Sequence, residues 1–138
     1  MIVVDTNVWS ELMRPEPDLS VRSWARRRAS ELYLPSVALG ELRFGVARLA
    51  AGRKKGALEA SIDQVAVRFA ARILSFDADA TRDYAPLLAA AREAGRPMST
   101  PDAQIAAIAK AAMAPLATRN VRDFASTGLT LINPWDAP

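Results

Sequence analysis

The amino-acid sequence predicts an α/β fold, a three-layer α/β/α sandwich with a mostly parallel central sheet of four to five strands. Short apolar runs of strand length recur along the chain, separated by longer segments with helical patterns. Strands that alternate with helices favour parallel pairing, with helices covering both faces of the sheet. No internal repeat, low-complexity tract or linker interrupts the pattern, so residues 1–138 are expected to form a single domain.

Five apolar runs are predicted to be buried strands because they are short and bounded by polar or turn-forming residues. They are Ile2–Val4, Leu32–Leu34, Ile73–Phe76, Leu116–Thr118 and Leu129–Ile132. Six segments between them are predicted helices, namely Val8–Met13, Leu19–Ser30, Val37–Ala50, Ala57–Arg72, Thr81–Ala94 and Pro101–Met113.

Residues at the predicted helix ends support these boundaries. Ser36 is a candidate N-cap for the helix from Val37, and Thr100 with Pro101 forms a cap and first-turn pair. Ser99 and Asp102 also have the spacing of a capping box. Pro86 conflicts with one continuous helix from Thr81, so we expect a kink or a late start there.

The sequence contains no histidine and no cysteine, which restricts the chemistry of any active site. An imidazole base, a thiolate nucleophile and nearly every zinc site are excluded. A catalytic centre built mainly from carboxylates would suit Mg²⁺ or Mn²⁺, which prefer oxygen ligands. No disulfide, signal-peptide pattern or apolar stretch of membrane-spanning length is present, so a cytoplasmic protein with no membrane contact is expected.

Two acidic residues are the first candidates for such a centre. Asp5 follows the first predicted strand, at the edge of a parallel sheet where ligands gather. It is also a common type of helix N-cap, and this alternative stays open. Glu41 has Val37, Ala38 and Phe44 as helical neighbours and no basic residue among them, so we expect a cation to compensate its charge.

Two further acids have competing explanations. Asp102 lies in a first helical turn, where an acid complements the helix dipole, yet Ile105 and Ala106 share its face. Asp123 either caps the short segment before Phe124 or faces a site beside the polar pair Thr118 and Asn120. Carboxylates about 4 Å apart repel by roughly 4 kcal/mol at an effective dielectric constant near 20, so a cluster needs a cation or a proton.

Five segments, taken in order, resemble the PIN domain of the VapC/FitB toxin type over nearly the whole chain. They are Val3–Leu12, Gly40–Gly45, Arg96–Ser99 with Asp102–Ala107, Leu116–Phe124 and Leu131–Trp135. By this resemblance, the acids Asp5, Glu41, Asp102 and Asp123 match a catalytic, metal-binding quartet. The polar residues that the resemblance places around the quartet are Thr6, Thr118 and Asn120.

The resemblance implies a metal-dependent endoribonuclease that is the toxin of a type II toxin–antitoxin pair. Its cofactor would be Mg²⁺, with Mn²⁺ able to substitute, and its substrate RNA. Its partner would be a small DNA-binding antitoxin of the VapB/FitA kind. A homodimer is implied, and with the antitoxin a higher-order complex.

Two other functions stay open from the residues alone. A haloacid-dehalogenase-type phosphatase also places an aspartate after the first strand, but it needs a second aspartate two residues on, where this chain has Asn7. A catalytically silent PIN-like module that binds RNA or protein is the other. The apolar residues Val8, Trp9, Leu12 and Met13 are expected to form either a helix-binding groove beside the site or simply core.

Overall fold

The computed structural model describes residues 1–137 and contains a five-stranded, entirely parallel sheet with the strand order β3-β2-β1-β4-β5. The strands are β1 (Ile2–Val4), β2 (Leu32–Pro35), β3 (Ile73–Leu74), β4 (Leu116–Ala117) and β5 (Leu131–Ile132). Six α-helices flank the sheet, namely α1 (Thr6–Leu12), α2 (Leu19–Arg27), α3 (Ser36–Ala47), α4 (Arg53–Arg68), α5 (Ala78–Glu93) and α6 (Thr100–Ala111). The predicted α/β sandwich with a parallel sheet is confirmed.

The direction of strand addition reverses at β1, the central strand. The chain builds β1, β2 and β3 outward on one side and then crosses to add β4 and β5 on the other. Val3 pairs with both Tyr33 of β2 and Leu116 of β4. In open parallel sheets this reversal leaves a crevice at the carboxyl ends of the two diverging strands, here β1 and β4.

The core lies between this sheet and the helices, and Trp9 connects the two layers. Val3 and Val4 of β1 are fully buried, because a central parallel strand is covered on both faces. Trp9 donates its indole N–H to the Val4 carbonyl oxygen at 3.0 Å, and its ring packs edge-to-face on Phe69 at 4.8 Å. These contacts hold the start of α1 against the end of β1.

Glu11 organises the loop that joins α1 to α2. Its carboxylate is buried, accepts a hydrogen bond from the Asp18 backbone N–H at 3.1 Å and pairs with Arg14 at 3.3 Å. Asp18 in turn caps α2 by accepting from the N–H groups of Ser20 and Val21. A buried carboxylate is stable here because these partners replace the water that it loses.

Several predicted boundaries are wrong by about one turn. Ser36 lies inside α3 and does not cap it. Thr100 does not cap α6, whereas Ser99, which the capping-box spacing also indicated, does. The helix predicted from Ala57 begins at Arg53, directly after Gly52, and a 3₁₀ turn at Ala70–Arg72 follows it. These shifts occur because a helix extends until its terminal N–H and C=O groups find other partners.

Pro86 does not delay the start of α5, which begins three residues before the predicted Thr81. The Asp77 carboxylate caps the helix by accepting from the Ala80 N–H at 3.0 Å. Pro86 removes one backbone donor on an exposed face. Leu87 and Ala91 on the other face are buried where α5 packs on α6. Tertiary packing therefore outweighs the local cost of the proline.

No helix within residues 1–137 combines the length and the apolar character that a bilayer crossing requires.

Candidate active site

The crevice at the β1–β4 reversal contains a hydrogen-bonded group of polar side chains centred on Asp5. The Asp5 backbone N–H donates to the Ala117 carbonyl oxygen at 2.9 Å, so Asp5 and Thr118 leave adjacent strands side by side. The Thr118 hydroxyl donates to Asp5 Oδ2 at 2.8 Å, and the Thr6 N–H donates to Asp5 Oδ1 at 2.8 Å. Asp5 and Thr118 are both buried.

Asp5 has the capping role, one of the two that the sequence left open. It is the N-cap of α1, because its extended backbone precedes the helix and its carboxylate accepts from Thr6. It is also the buried carboxylate nearest the reversal of strand order. A cap alone does not need burial, since most capping side chains lie at the surface.

Asn7 belongs to this group although the sequence analysis did not include it among the site residues. Its amide nitrogen donates to Asp5 Oδ2 at 3.2 Å and lies 3.4 Å from the Thr118 hydroxyl. Its amide oxygen accepts from the Arg119 N–H at 3.3 Å. The sequence feature that could have identified Asn7 is its position two residues after Asp5, in the first turn of α1, from which its side chain reaches Asp5 and Thr118. Asn7 therefore joins the loops that follow β1 and β4.

The Asp5 carboxyl group has a pKa raised from 3.8 to about 6. Burial is the largest cause, because it removes the water that stabilises the charged form. The hydrogen bonds from Thr118 and Thr6 oppose the shift, and the negative charges of Asp102 and Glu41 add to it. These charges show that the three acids share one electrostatic environment.

Glu41 approaches the group from α3. The Thr6 hydroxyl donates to Glu41 Oε1 at 2.6 Å, which links α3 to the start of α1. The nearby arginines are engaged elsewhere: Arg43 pairs with Asp63 at 2.8 Å, and Arg48 stacks over the Phe44 ring at 5.4 Å. Within the described chain, no ion pair involves Glu41.

The surroundings of Glu41 differ from the expectation in one respect. The sequence predicted an apolar, buried face, but Glu41 is half-buried and Phe44 is 65% exposed. Glu41 therefore lies at the margin of the core and not inside it.

Asp102 and Asp123 complete the set of four acids. Asp102 lies in the first turn of α6, where its N–H donates to the Ser99 hydroxyl at 3.3 Å. Burial raises the Asp102 pKa, hydrogen bonding with Ser99 opposes this, and the charges of Glu41 and Asp123 raise it further. Asp123 is exposed in a turn after β4, with its N–H bonded to the Asn120 carbonyl oxygen at 3.0 Å.

The remaining two polar candidates have different roles. Thr6 bridges Asp5 and Glu41, as described above. Asn120 uses its backbone N–H, which donates to the Thr118 hydroxyl oxygen at 3.0 Å. Asn120 therefore positions Thr118 through the main chain, and its side chain is exposed.

The donor chemistry of this group fits a hard divalent cation, but the ligands are not gathered into a cage. Four carboxylates supply only oxygen donors, and burial and mutual repulsion raise the pKa values of two of them. Among residues 1–137, no three acidic side chains stand close enough to form a cation site as they lie. The quartet is thus a set of neighbouring charges with an unbalanced negative potential.

A groove of about 570 Å³ lies between α1, α2 and α4. Trp9, Leu12 and Met13 contribute apolar surface to it, and Arg22, Arg26 and Arg68 also line it. Val8, for which the sequence analysis left groove or core open, is fully buried and belongs to the core. The apolar residues of α1 therefore divide between core and groove.

Comparison with known proteins identifies close relatives of full length. The sequence profile of the PIN domain matches residues 2–128. The chain is 42% identical to VapC ribonuclease Y4jK of Sinorhizobium fredii, with 99% of each sequence covered. It is 38% identical to Toxin FitB of Neisseria gonorrhoeae, with 98% of this chain and 99% of the relative covered.

Solved structures share the same architecture. The crystal structure of FitAcB from Neisseria gonorrhoeae has a TM-score of 0.90 and 37% identity, with 99% of both chains covered. VapBC2 from Rickettsia felis, bound to a DNA fragment from its promoter, has a TM-score of 0.82 and 28% identity, with 96% of this chain and 98% of that chain covered. The similarity therefore covers essentially the whole chain.

Asp5 is expected to make the metal-free protein less stable as the pH rises from about 4 to above 6. Because its pKa is about 6 in the folded protein against an ordinary 3.8, the folded state retains a proton that the unfolded state has released. The resulting stabilisation is complete below pH 3.8 and is lost as the pH rises through about 6, a total of about 3 kcal/mol.

Urea denaturation in EDTA measures the free energy of unfolding across this pH range. Asp5→Asn should lack this pH-dependent part of the unfolding free energy. Asp79→Asn, which removes an exposed carboxylate from α5, should retain it. The same pH dependence in the wild type and in Asp5→Asn would contradict the assignment.

Proposed function

Because this chain belongs to the PIN domain family, we propose that it is a metal-dependent endoribonuclease and the toxin of a type II toxin–antitoxin pair. The observation that carries the proposal is the buried Asp5 carboxylate, which shares its electrostatic environment with Asp102 and Glu41 at the β1–β4 crevice. The relatives, a VapC ribonuclease and Toxin FitB, support the reaction and the biological role. A cytoplasmic location is part of the same proposal.

Asp5, Glu41 and Asp102 would hold a Mg²⁺ or Mn²⁺ ion, with Asp123 as the fourth acid. When bound, such an ion lowers the pKa of a water molecule and stabilises negative charge on phosphate oxygens. Asp5 is ionised above about pH 6 and then presents the charge that a cation requires. The absence of histidine leaves no imidazole to activate the RNA 2′-hydroxyl, so we propose direct hydrolysis that leaves a 5′-phosphate.

The polar residues hold these carboxylates in place. Thr118 and Asn7 donate to the same oxygen of Asp5, which restricts rotation of its carboxylate. The Thr6 hydroxyl holds Glu41 through a 2.6 Å hydrogen bond, and the Thr6 N–H donates to the capping carboxylate of Asp5. Such supporting hydrogen bonds orient ligands and typically affect metal affinity by 10- to 100-fold.

We also propose that an antitoxin helix occupies the groove between α1, α2 and α4. An apolar floor from Trp9, Leu12 and Met13 suits the apolar face of an amphipathic helix. The arginines that line the groove favour acidic residues beside that helix. A basic group of the partner would then reach the acidic crevice. The related VapBC2 complex, which is bound to a DNA fragment from its promoter, supports a DNA-binding partner. A homodimer is part of this proposal.

RNA cleavage is expected to require Mg²⁺ or Mn²⁺ and to stop in excess EDTA. Asp5→Asn or Asp102→Asn should lower kcat by at least about 100-fold, because each removes a charge from the site. Asp79→Asn serves as the matched control and should cleave normally, and circular dichroism checks that each variant is folded. Full cleavage in EDTA would contradict the metal proposal. RNA binding without cleavage under every metal condition would instead favour a silent binding module.

Millimolar Mn²⁺ is expected to raise the thermal melting temperature of the wild type. An ion that binds only the folded state stabilises it by about 2.7 kcal/mol at a concentration 100 times its Kd. Glu41→Gln should reduce the shift, whereas Glu59→Gln, on an exposed face of α4, should leave it unchanged. If Glu41→Gln melts with the wild-type shift, the ion binds at another place.

Expression of this protein alone is expected to arrest growth, and co-expression of the neighbouring gene should relieve the arrest. Met13→Glu places a charge in the groove, so it should weaken the complex at least about tenfold and leave RNA cleavage intact. Met113→Glu, at a 93% exposed position before β4, is the control. Binding is measured by titration calorimetry. Normal growth with soluble, folded protein would count against the toxin role and leave the nuclease proposal standing.

A further inference from the structure

A second cavity, of about 340 Å³, is lined by Arg96, Pro97, Arg122 and Asp123. Asp123 connects it to the acidic crevice, because the charge of Asp123 acts on Asp102. The two arginines come from distant parts of the chain, one from the connection between α5 and α6 and the other from the turn after β4. Their convergence at one cavity is a property of the fold and is not visible in the sequence.

The backbone fixes the position of both arginines. Gly95 adopts a left-handed conformation with φ of 69° and ends α5, with its N–H bonded to Arg92 and the Arg96 N–H bonded to the Ala91 carbonyl oxygen at 2.9 Å. This pair of bonds is a Schellman cap, which sets the direction of the chain at Arg96. Arg122 lies inside the turn that bonds the Asp123 N–H to Asn120.

The guanidinium groups of Arg96 and Arg122 have no acidic partner within residues 1–137. The ion pairs there use Arg14, Arg28 and Arg43, and neither cavity arginine pairs with Asp123. Both side chains are exposed. Two positive charges therefore face one cavity beside a strongly acidic crevice and remain available to an anion.

We propose that this cavity binds a phosphodiester group of the RNA strand next to the bond that is cut. The proposal rests on the proposed nuclease function and names a substrate subsite for it. Paired guanidinium groups suit phosphate, because each offers two parallel donors to the phosphate oxygens. The volume is at the lower end of the range for small-ligand pockets and accommodates one nucleotide unit.

The subsite would also offset the repulsion between RNA and the acidic crevice. RNA is a polyanion, and the four carboxylates at the crevice repel it. Two arginines at the border of that crevice attract the flanking phosphate and so hold the strand across the acids. Arg96 and Arg122 are therefore positioning residues, and they do not take part in the cleavage itself.

The test measures RNA affinity in the Asp5→Asn background, where cleavage does not interfere. The probe is a short fluorescent single-stranded RNA, and its anisotropy gives the Kd at several salt concentrations. Arg96→Gln/Arg122→Gln should weaken binding about tenfold or more at low salt. The steepness of log K against log salt should fall by about 0.7, since the loss of one phosphate contact with a single strand removes about 0.7. Arg53→Gln/Arg82→Gln removes the same charge at exposed positions and should change neither value appreciably.

A series of RNAs, each with a neutral methylphosphonate in place of one phosphodiester linkage, identifies the phosphate that the two arginines bind. One position next to the cleaved bond should weaken binding to the protein with both arginines and have no effect on the double variant. If Arg96→Gln/Arg122→Gln has the RNA affinity and the salt slope of the control variant, the subsite is overturned. If the wild type still cleaves RNA in that case, the nuclease proposal stands. Arginine-dependent binding without cleavage by the wild type overturns the nuclease proposal, and with it the placement of this phosphate site beside a cut bond. If Arg96→Gln/Arg122→Gln loses binding to the protein partner but keeps its affinity for RNA, the subsite is also overturned.

Discussion

The burial of one carboxylate, that of Asp5, is the constraint on which the candidate site depends. Central strand β1 delivers Asp5 to the point where the strand order reverses, and β4 delivers Thr118 beside it. A carboxylate there has lost most of its water, and the hydrogen bonds from Thr6, Thr118 and Asn7 replace only part of it. The remaining cost appears as a pKa of about 6. The local fold therefore stores an imbalance of charge that a proton or a cation relieves.

Charged residues around Asp5 add to the excess of negative charge at the crevice and place positive charge at its border. Glu41 and Asp102 add negative potential to the crevice, and Arg43, the arginine closest to Glu41 in sequence, is paired with Asp63 instead. Two other arginines, Arg96 and Arg122, line the adjoining cavity without acidic partners in the described chain. Acids at the centre and arginines at the border form an arrangement in which a cation and a polyanion can bind side by side. This complementarity agrees with the proposed reaction on RNA.

Local patterns in the sequence predicted the parallel sheet and the candidate acids, because strand length, apolar runs and residues at strand ends are all local features. Details that depend on tertiary contacts were missed. Pro86 was expected to kink or delay a helix, but α5 begins before it and continues through it where the helix packs on α6. The face of Glu41 was expected to be buried, although Phe44 is 65% exposed. Asn7 was considered only as a missing aspartate, since its bond to Thr118 spans 111 residues of chain. The convergence of Arg96 and Arg122 on one cavity was missed for the same reason, because the two residues are distant in the sequence.

The most direct measurement of the central claim is the anomalous scattering of Mn²⁺ in crystals grown with the ion well above pH 6, where Asp5 is ionised. We expect a single strong peak in the β1–β4 crevice, within bonding distance of the Asp5 and Asp102 carboxylates and with Glu41 turned toward it. Crystals of Asp5→Asn should lose that peak under the same conditions. A strong peak elsewhere, or no peak near Asp5 under conditions in which the protein cleaves RNA, would contradict the claim that these carboxylates hold the catalytic ion.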